Sequence, residues 1–182
     1  MKVLLDACVL YPTVMREMLI GVAKTGAYTP LWSPRILEEW ARAARKSGPD
    51  GEGVARSEIA LLRAGWPGSE IQPRAGDLAR LWLPDENDIH VFAAAVAGSA
   101  DSIVTENRAD FPRGILAEEG IERHSADPFL QDLYNQNPDA VLAVAQRVRA
   151  VAERLSGEAW SLRKLMKKAR LPRLGKALER VD

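Results

Sequence analysis

The sequence predicts an α/β protein with a central parallel β-sheet, followed by an all-helical C-terminal extension. Two observations carry this prediction. Short apolar runs with strand character alternate with segments of helical periodicity through most of the chain, which is the pattern of strand–helix–strand units with parallel strands. After Asp127-Pro128 the pattern becomes wholly helical. The chain length of 182 residues fits one domain with a small appendage.

The first strand is predicted at Val3-Leu4-Leu5, a buried run that ends at Asp6. A break at Tyr11-Pro12 then opens a helix that continues to about residue 24. A second strand over 28–32 leads into Ser33-Pro34, where an N-cap residue followed by proline at the first helical position predicts a helix to about residue 46.

The remaining elements follow from the same two patterns, which are short apolar runs for strands and helical spacing of apolar residues for helices. In chain order they are a helix over 54–66, a short strand at Ile71, a helical turn over 77–83, an apolar helix over 89–97, a strand over 101–105, a helical turn over 115–119 and a strand over 121–124. The extension is predicted as helices over 128–135, 138–155, 159–168 and 173–181. The prediction is therefore a domain over 1–127 and a helical, basic extension over 128–182.

The net charge is zero, from 25 basic and 25 acidic residues, and by itself this argues against a nucleic-acid partner. The total hides a split along the chain. Residues 1–146 hold 14 Lys and Arg against 21 Asp and Glu, a balance of −7, and residues 147–182 hold 11 against 4, a balance of +7. An acidic body with a basic tail does not exclude a polyanionic substrate.

Several classes of protein are excluded by composition. A hydrophobic content of 47% and a charged content of 27% are those of a folded protein, and the single cysteine, Cys8, cannot form an intramolecular disulfide. No apolar stretch is long enough to span a membrane, and Asp6 interrupts the run that an export signal requires. We therefore expect a cytoplasmic protein.

Acidic and polar side chains cluster where the predicted strands end. Asp6 ends the first strand, and Thr105 ends a later one, with Asn107 and Asp110 just beyond it. Asp85 and Asp88 precede the apolar helix, and Glu38 and Glu39 lie on the helix after the second strand. Because ligands of a parallel sheet bind beyond the carboxyl ends of its strands, these side chains are expected to converge at one rim.

Such a cluster predicts a divalent cation, because carboxylates repel one another unless a cation neutralises them. Oxygen ligands suit Mg²⁺ or Mn²⁺, which can activate water and stabilise the leaving oxygen in phosphodiester cleavage. The same acids also have structural interpretations: Asp6, Asp85 or Asp88 could cap a helix, and at most one of Glu38 and Glu39 can face the rim.

Four motifs carry a family resemblance: Leu4–Pro12, Ser33–Trp40, Leu83–Ala95 and Val104–Pro112. In their order and spacing they resemble a PIN domain of the kind found in VapC toxins of bacterial toxin–antitoxin pairs. The resemblance covers residues 1–127 and implies a three-layer α/β/α sandwich with a ribonuclease site that uses Mg²⁺ or Mn²⁺. The chain after residue 127 resembles the helical extension of a subset of VapC-like proteins.

The resemblance also implies roles for single residues. Asp6, Glu39 and Asp88 match the family's metal ligands, Asp85 matches the accompanying aspartate, and Thr105 matches a threonine that hydrogen-bonds among the acids. Many PIN domains have an aspartate where this chain has Asn107. The amide oxygen of Asn107 could still bind a metal, or Asp110 could supply the carboxylate. The catalytic set implied is thus Asp6, Glu39, Asp88 and Asp110.

The basic tail has two open interpretations. Lys164, Lys167 and Lys168 share one helix face. They could form a solvated or packed helix, or they could bind the phosphate backbone of RNA.

The sequence therefore predicts a metal-dependent endoribonuclease, the toxin of a type II toxin–antitoxin pair, with RNA as substrate, a small antitoxin as partner and a homodimeric state. The alternatives are a catalytically degenerate module that binds nucleic acid or an antitoxin, which Asn107 favours, and a haloacid-dehalogenase-like phosphatase. The phosphatase requires a second acid two residues after the first aspartate, where this chain has Cys8.

Overall fold

A computed structural model of the chain describes residues 1–179. They divide into two compact units: the first contains Met1–Tyr11 and Thr29–His124, and the second contains Pro12–Tyr28 and the chain from Ser125 onward. The segment 12–28 thus belongs with the C-terminal helices and not with the sheet. The division into domains 1–127 and 128–182 stays a prediction.

The first unit is built on one sheet of four parallel strands, which confirms the predicted α/β class. The strands, in the spatial order β2-β1-β3-β4, are β1 Lys2–Leu5, β2 Thr29–Leu31, β3 Ser102–Val104 and β4 Glu122–His124. Leu4 pairs with Leu31 on one side and with Ile103 on the other, and its side chain is fully buried. The central strands are apolar because a parallel sheet is covered on both faces.

Helices connect the strands and form most of the remaining described chain. They are α1 Ala7–Leu10, α2 Thr13–Ala23, α3 Pro34–Ala43, α4 Gly51–Gly65, α5 Ala75–Arg80, α6 Ile89–Ala97, α7 Arg113–Glu118, α8 Ala126–Gln136, α9 Pro138–Ser156, α10 Leu162–Lys168 and α11 Pro172–Leu178. Short 3-10 helices cover Ala44–Ser47 and Glu86–Asp88. The predicted C-terminal helices are confirmed as α8 to α11, although the predicted end of the last one, at residue 181, lies outside the described residues. None of the helices in the described chain is long and apolar enough to cross a membrane.

The structure differs from the prediction at three local points. Helix α1 was not expected, and it forms because the Asp6 side chain accepts a hydrogen bond from the Ala7 backbone N–H at 2.6 Å. Helix α3 ends at Ala43 and tightens into 3-10 geometry over the next turn. The short strand predicted at Ile71 is shifted by one residue and reduced to an isolated parallel bridge between Trp32 and Glu70, beside which the Ile71 N–H donates to the Trp32 carbonyl.

The second unit is a cluster of helices with an aromatic contact in its core. The ring of Tyr28 meets the ring of Phe129 edge to face at 5.2 Å, and the Tyr28 hydroxyl donates to the Leu19 carbonyl at 2.7 Å. Burial raises the pKa of the Tyr28 hydroxyl, so it remains a donor. Aromatic pairs in this geometry contribute about 0.5–1.5 kcal/mol beyond their buried area.

Helix α11 begins on a carboxylate that comes from far away in the sequence. The two side-chain oxygens of Asp127, which is buried on α8, accept the backbone N–H groups of Arg173 at 2.9 Å and Leu174 at 3.0 Å. The residue before the helix, Leu171, offers no side-chain cap. Asp127 therefore satisfies the first-turn donors and complements the positive end of the helix.

We expect Asp127→Ala to lower the free energy of unfolding by about 2 kcal/mol, because two backbone donors at the start of α11, one of them buried, lose their acceptor. Urea denaturation measures this change. Asp127→Asn keeps one acceptor oxygen and should lose about half as much. Asp132→Ala, at an exposed position on the same helix, is the matched control and should stay within about 0.5 kcal/mol of the parent. Equal stability of the two alanine variants would contradict the capping role.

Candidate metal centre

Asp6 occupies the end of β1, and its carboxylate is held by three donors. The Thr105 hydroxyl donates to Oδ2 at 2.6 Å, the Cys8 thiol donates to the same oxygen at 3.1 Å, and the Ala7 N–H donates to Oδ1. Thr105 follows β3 and is fully buried. The two central strands of the sheet therefore position this carboxylate from both sides.

Cys8 has a role that the sequence did not reveal. Its sulfur also accepts the Glu106 N–H at 3.3 Å, so it connects the start of α1 with the loop after β3. Burial, and then the charge of Asp6, raise the pKa of the thiol to about 12, which keeps it protonated and able to donate. Its position two residues after Asp6, in the first turn of a helix capped by that aspartate, is the signal that could have revealed it.

Three carboxylates approach one another around the start of α6. Asp85, Asp88 and Asp110 each offer an oxygen, and these oxygens lie within 4.8 Å of one another. Asp85 is fixed because its side chain accepts the Asn87 N–H at 2.9 Å and caps the 3-10 turn. Asp88 directly precedes α6, and Asp110 lies in the loop after β3. All three are half-buried.

The electrostatics of this cluster favour a cation. Burial, and then the charges of Asp6, Asp85 and Asp110, raise the pKa of the Asp88 carboxyl to about 6. Part of the repulsion is offset by Asn107, whose Nδ2 donates to Asp88 Oδ2 at 3.0 Å. The Asn107 amide therefore presents its nitrogen to Asp88 in this arrangement, and not the oxygen that a metal would bind.

Glu39 is not a member of the cluster of three aspartates, but it contacts α6 through His90. Its Oε1 accepts Arg35 Nε at 3.1 Å and lies 2.9 Å from Nε2 of His90, a buried residue on α6. Burial works to raise the pKa of the Glu39 carboxyl, but His90 and Arg35 outweigh it and leave the pKa lowered. Its neighbour Glu38 pairs instead with Arg42 and Arg56 on the surface.

The predicted site residues are thus brought together in part. The cluster joins Asp88 and Asp110 with Asp85, which the sequence ranked as an accompanying residue, while Asp6 contributes its charge and Glu39 is engaged by His90. The ligand set consists of carboxylate oxygens, which fits Mg²⁺ or Mn²⁺ and does not fit a metal that prefers sulfur or imidazole. A bound divalent ion would relieve the repulsion that raises the pKa of Asp88.

Comparison with known proteins gives one family. The family model described as "PIN domain" matches residues 2–109, which include every predicted site residue of the first unit except Asp110. A search of curated proteins gave no significant match, and neither did a search of solved structures. The match covers more than half of the chain, and the parallel sheet with its intervening helices agrees with it. The chain belongs to the PIN domain family.

Proposed function

We propose that the protein is an endoribonuclease that depends on Mg²⁺ or Mn²⁺. The observation that carries this proposal is the set of three aspartates whose oxygens lie within 4.8 Å of one another, in a chain of the PIN domain family. Unneutralised carboxylates at this spacing destabilise the fold, and a divalent cation is the ligand that removes this repulsion.

Asp85, Asp88 and Asp110 would hold the ion, and Asp6 adds negative charge beside them. A bound Mg²⁺ or Mn²⁺ supplies an activated water and neutralises charge on the scissile phosphate. Thr105 and Cys8 both donate to Asp6 Oδ2, and the Ala7 N–H donates to Oδ1. These donors fix the orientation of the carboxylate.

Glu39 and Asn107 have different tasks in this proposal. Arg35 and His90 keep Glu39 ionised and fixed, so it is available as a negative group for a metal-bound water or a second ion. Asn107 donates to Asp88 and so limits the rotation of that carboxylate.

The cleavage assay tests the proposal directly. We expect the purified protein to cleave a fluorescent single-stranded RNA with Mg²⁺ or Mn²⁺, to stop in EDTA and to recover when Mn²⁺ is restored. Asp110→Asn should weaken Mn²⁺ binding, measured by calorimetry, by at least about 10-fold. Asp132→Asn, at an exposed position outside the cluster, should leave both readouts unchanged. Cleavage by Asp110→Asn at the parent's rate, after the same purification, would indicate a contaminating nuclease. Cleavage in EDTA, or equal Mn²⁺ binding by the two variants, would refute the proposal.

A narrower biological role extends this proposal. We infer that the enzyme is the toxin of a type II toxin–antitoxin pair, that it acts as a homodimer and that a small antitoxin protein inhibits it; the four ordered motifs support this role. Induced expression should arrest growth of a bacterial host, and Asp88→Asn should remove the arrest. A small DNA-binding protein encoded beside this chain is the expected antitoxin, and its co-expression should restore growth.

One observation favours a second candidate, a module that binds RNA or a partner without cleaving it. Asn107 brings no charge to a position where many PIN domains have an aspartate, and its nitrogen faces Asp88. In that case Mn²⁺ binding would be absent at the three aspartates. The calorimetric titration described above therefore also separates the two candidates.

A further inference from the structure

The exposed face of α10 is strongly basic. Lys164, Lys167 and Lys168 are exposed, whereas the apolar side chains of the same helix are buried. The short connection after α10 adds an exposed Arg170. This concentration of cations follows the +7 balance of residues 147–182.

Ion pairing distinguishes this face from the first unit. There, six exposed arginines are paired with carboxylates, in the pairs Arg35–Glu39, Arg42–Glu38, Arg45–Glu52, Arg56–Glu52, Arg63–Glu70 and Arg80–Glu119. Within the described part of α10 and α11, the ion pair found is Arg163–Glu179. Among the described residues, Lys164, Lys167 and Arg170 form no ion pair, so their charges can complement those of an external polyanion.

An aromatic cleft adjoins these cations within the second unit. The cleft has a volume of about 310 Å³ and is lined by Trp160, Lys168 and residues of α2 and α9. The Lys168 ammonium lies 4.6 Å from the centre of the Trp160 ring, and Trp160 Nε1 donates to Ser156 Oγ at 3.2 Å. The indole is thus fixed in orientation and partly open to solvent.

Arg170 stands in a backbone conformation that favours glycine. Its φ is +63°, in the left-handed region, and its N–H donates to the Lys167 carbonyl where α10 ends. A side chain in this conformation destabilises the backbone relative to glycine. Arg170 therefore places a cation at a position where glycine would give a less strained helix end.

We propose that Trp160, Lys164, Lys167, Lys168 and Arg170 form a binding surface for single-stranded RNA, here called the Trp160 surface. A base stacks on the ring face opposite Lys168, which keeps its ammonium on the other face, and Lys164, Lys167 and Arg170 contact the flanking phosphates. A single strand is required because its bases are free to stack. The inference rests on the proposed function, since it names how that enzyme binds its substrate class, and it adds a site distinct from the acidic cluster.

Binding is measured without metal, so that the result does not depend on cleavage. A fluorescein-labelled single-stranded RNA is titrated with the full-length chain in EDTA, over a series of salt concentrations. We expect Trp160→Ala to weaken binding about 10-fold and Trp160→Phe to retain most of the affinity, because phenylalanine keeps a stacking face. The double variant Lys164→Gln/Lys167→Gln should lower the slope of log affinity against log salt by about 1.4. Lys46→Gln, an exposed lysine of the first unit, is the matched control and should change neither value.

Arg170→Gly separates RNA binding from stability because its two expected effects have opposite signs. The melting temperature should rise, since glycine relieves the left-handed backbone, while RNA affinity should fall about 2- to 5-fold with the loss of a phosphate contact.

The proposal is overturned if the Trp160 and lysine variants bind RNA as the parent does. It is also overturned if the parent binds phosphatidylcholine–phosphatidylserine vesicles through these residues in preference to RNA. A parent that cleaves RNA while these variants keep its affinity and KM refutes the Trp160 surface alone. A parent that binds RNA through these residues but never cleaves it refutes the proposed function alone.

Discussion

Asp88→Asn should abolish RNA cleavage and, at the same time, make the metal-free protein more stable. At neutral pH the Asp88 carboxylate is half-buried and repelled by Asp6, Asp85 and Asp110, which is why the pKa of this group rises to about 6. Asparagine has nearly the same shape and removes the charge. After allowing for solvent screening, we expect a gain of about 1 kcal/mol, or about 2–4 °C in Tm.

The activity of the same variant should fall by at least about 100-fold, because the charge that destabilises the empty cluster is the charge that holds the ion. The parent should gain stability when Mn²⁺ is added, and Asp88→Asn should gain much less. Thermal denaturation with and without Mn²⁺, together with the cleavage assay, measures all three effects. Asp50→Asn, an exposed aspartate of the first unit, should change none of them. Full cleavage by Asp88→Asn would contradict the site.

Gly21→Ala should destabilise the second unit by about 1–2 kcal/mol, although alanine is the better helix former. Helices α2 and α9 pack closely at this point, and a Cβ on Gly21 would lie 2.6 Å from Cγ1 of Val144. Val144 is buried, and its β-branched side chain has little freedom to rotate away. The overpacking outweighs the gain in helix propensity of about 1 kcal/mol.

A double-mutant cycle tests this packing. Val144→Ala removes the two methyl groups in question, so the double variant should be more stable than the sum of the single changes predicts, with a coupling of about 1 kcal/mol or more. Gly53→Ala is the matched control, because Gly53 is exposed on α4 and has open space around its Cβ position. That change should stabilise the protein by up to about 1 kcal/mol. Additive effects of Gly21→Ala and Val144→Ala in urea denaturation would refute the close contact.

The order of secondary structure could be predicted from the sequence because its signals are local. The apolar run before Asp6, the Ser33-Pro34 helix start and the apolar run of α6 each identify an element without reference to the rest of the chain. Parallel pairing then follows, because a helix between two strands returns the chain to the end of the sheet at which the first strand began. The local signals also placed the candidate acids at strand and helix ends, which are the positions that parallel sheets use for ligands.

The fold class, the family resemblance and the pool of acids from which a metal centre could be drawn can be read from the sequence alone. Which of these acids meet depends on the tertiary structure. The structure brings Asp85 together with Asp88 and Asp110. It pairs Glu39 with His90 and Arg35, and it makes the Cys8 thiol a donor to Asp6. It also grouped residues 12–28 with the C-terminal helices. The physical reason is that side-chain direction depends on loop conformation and on packing between distant segments, and neither has a period that can be read along the chain.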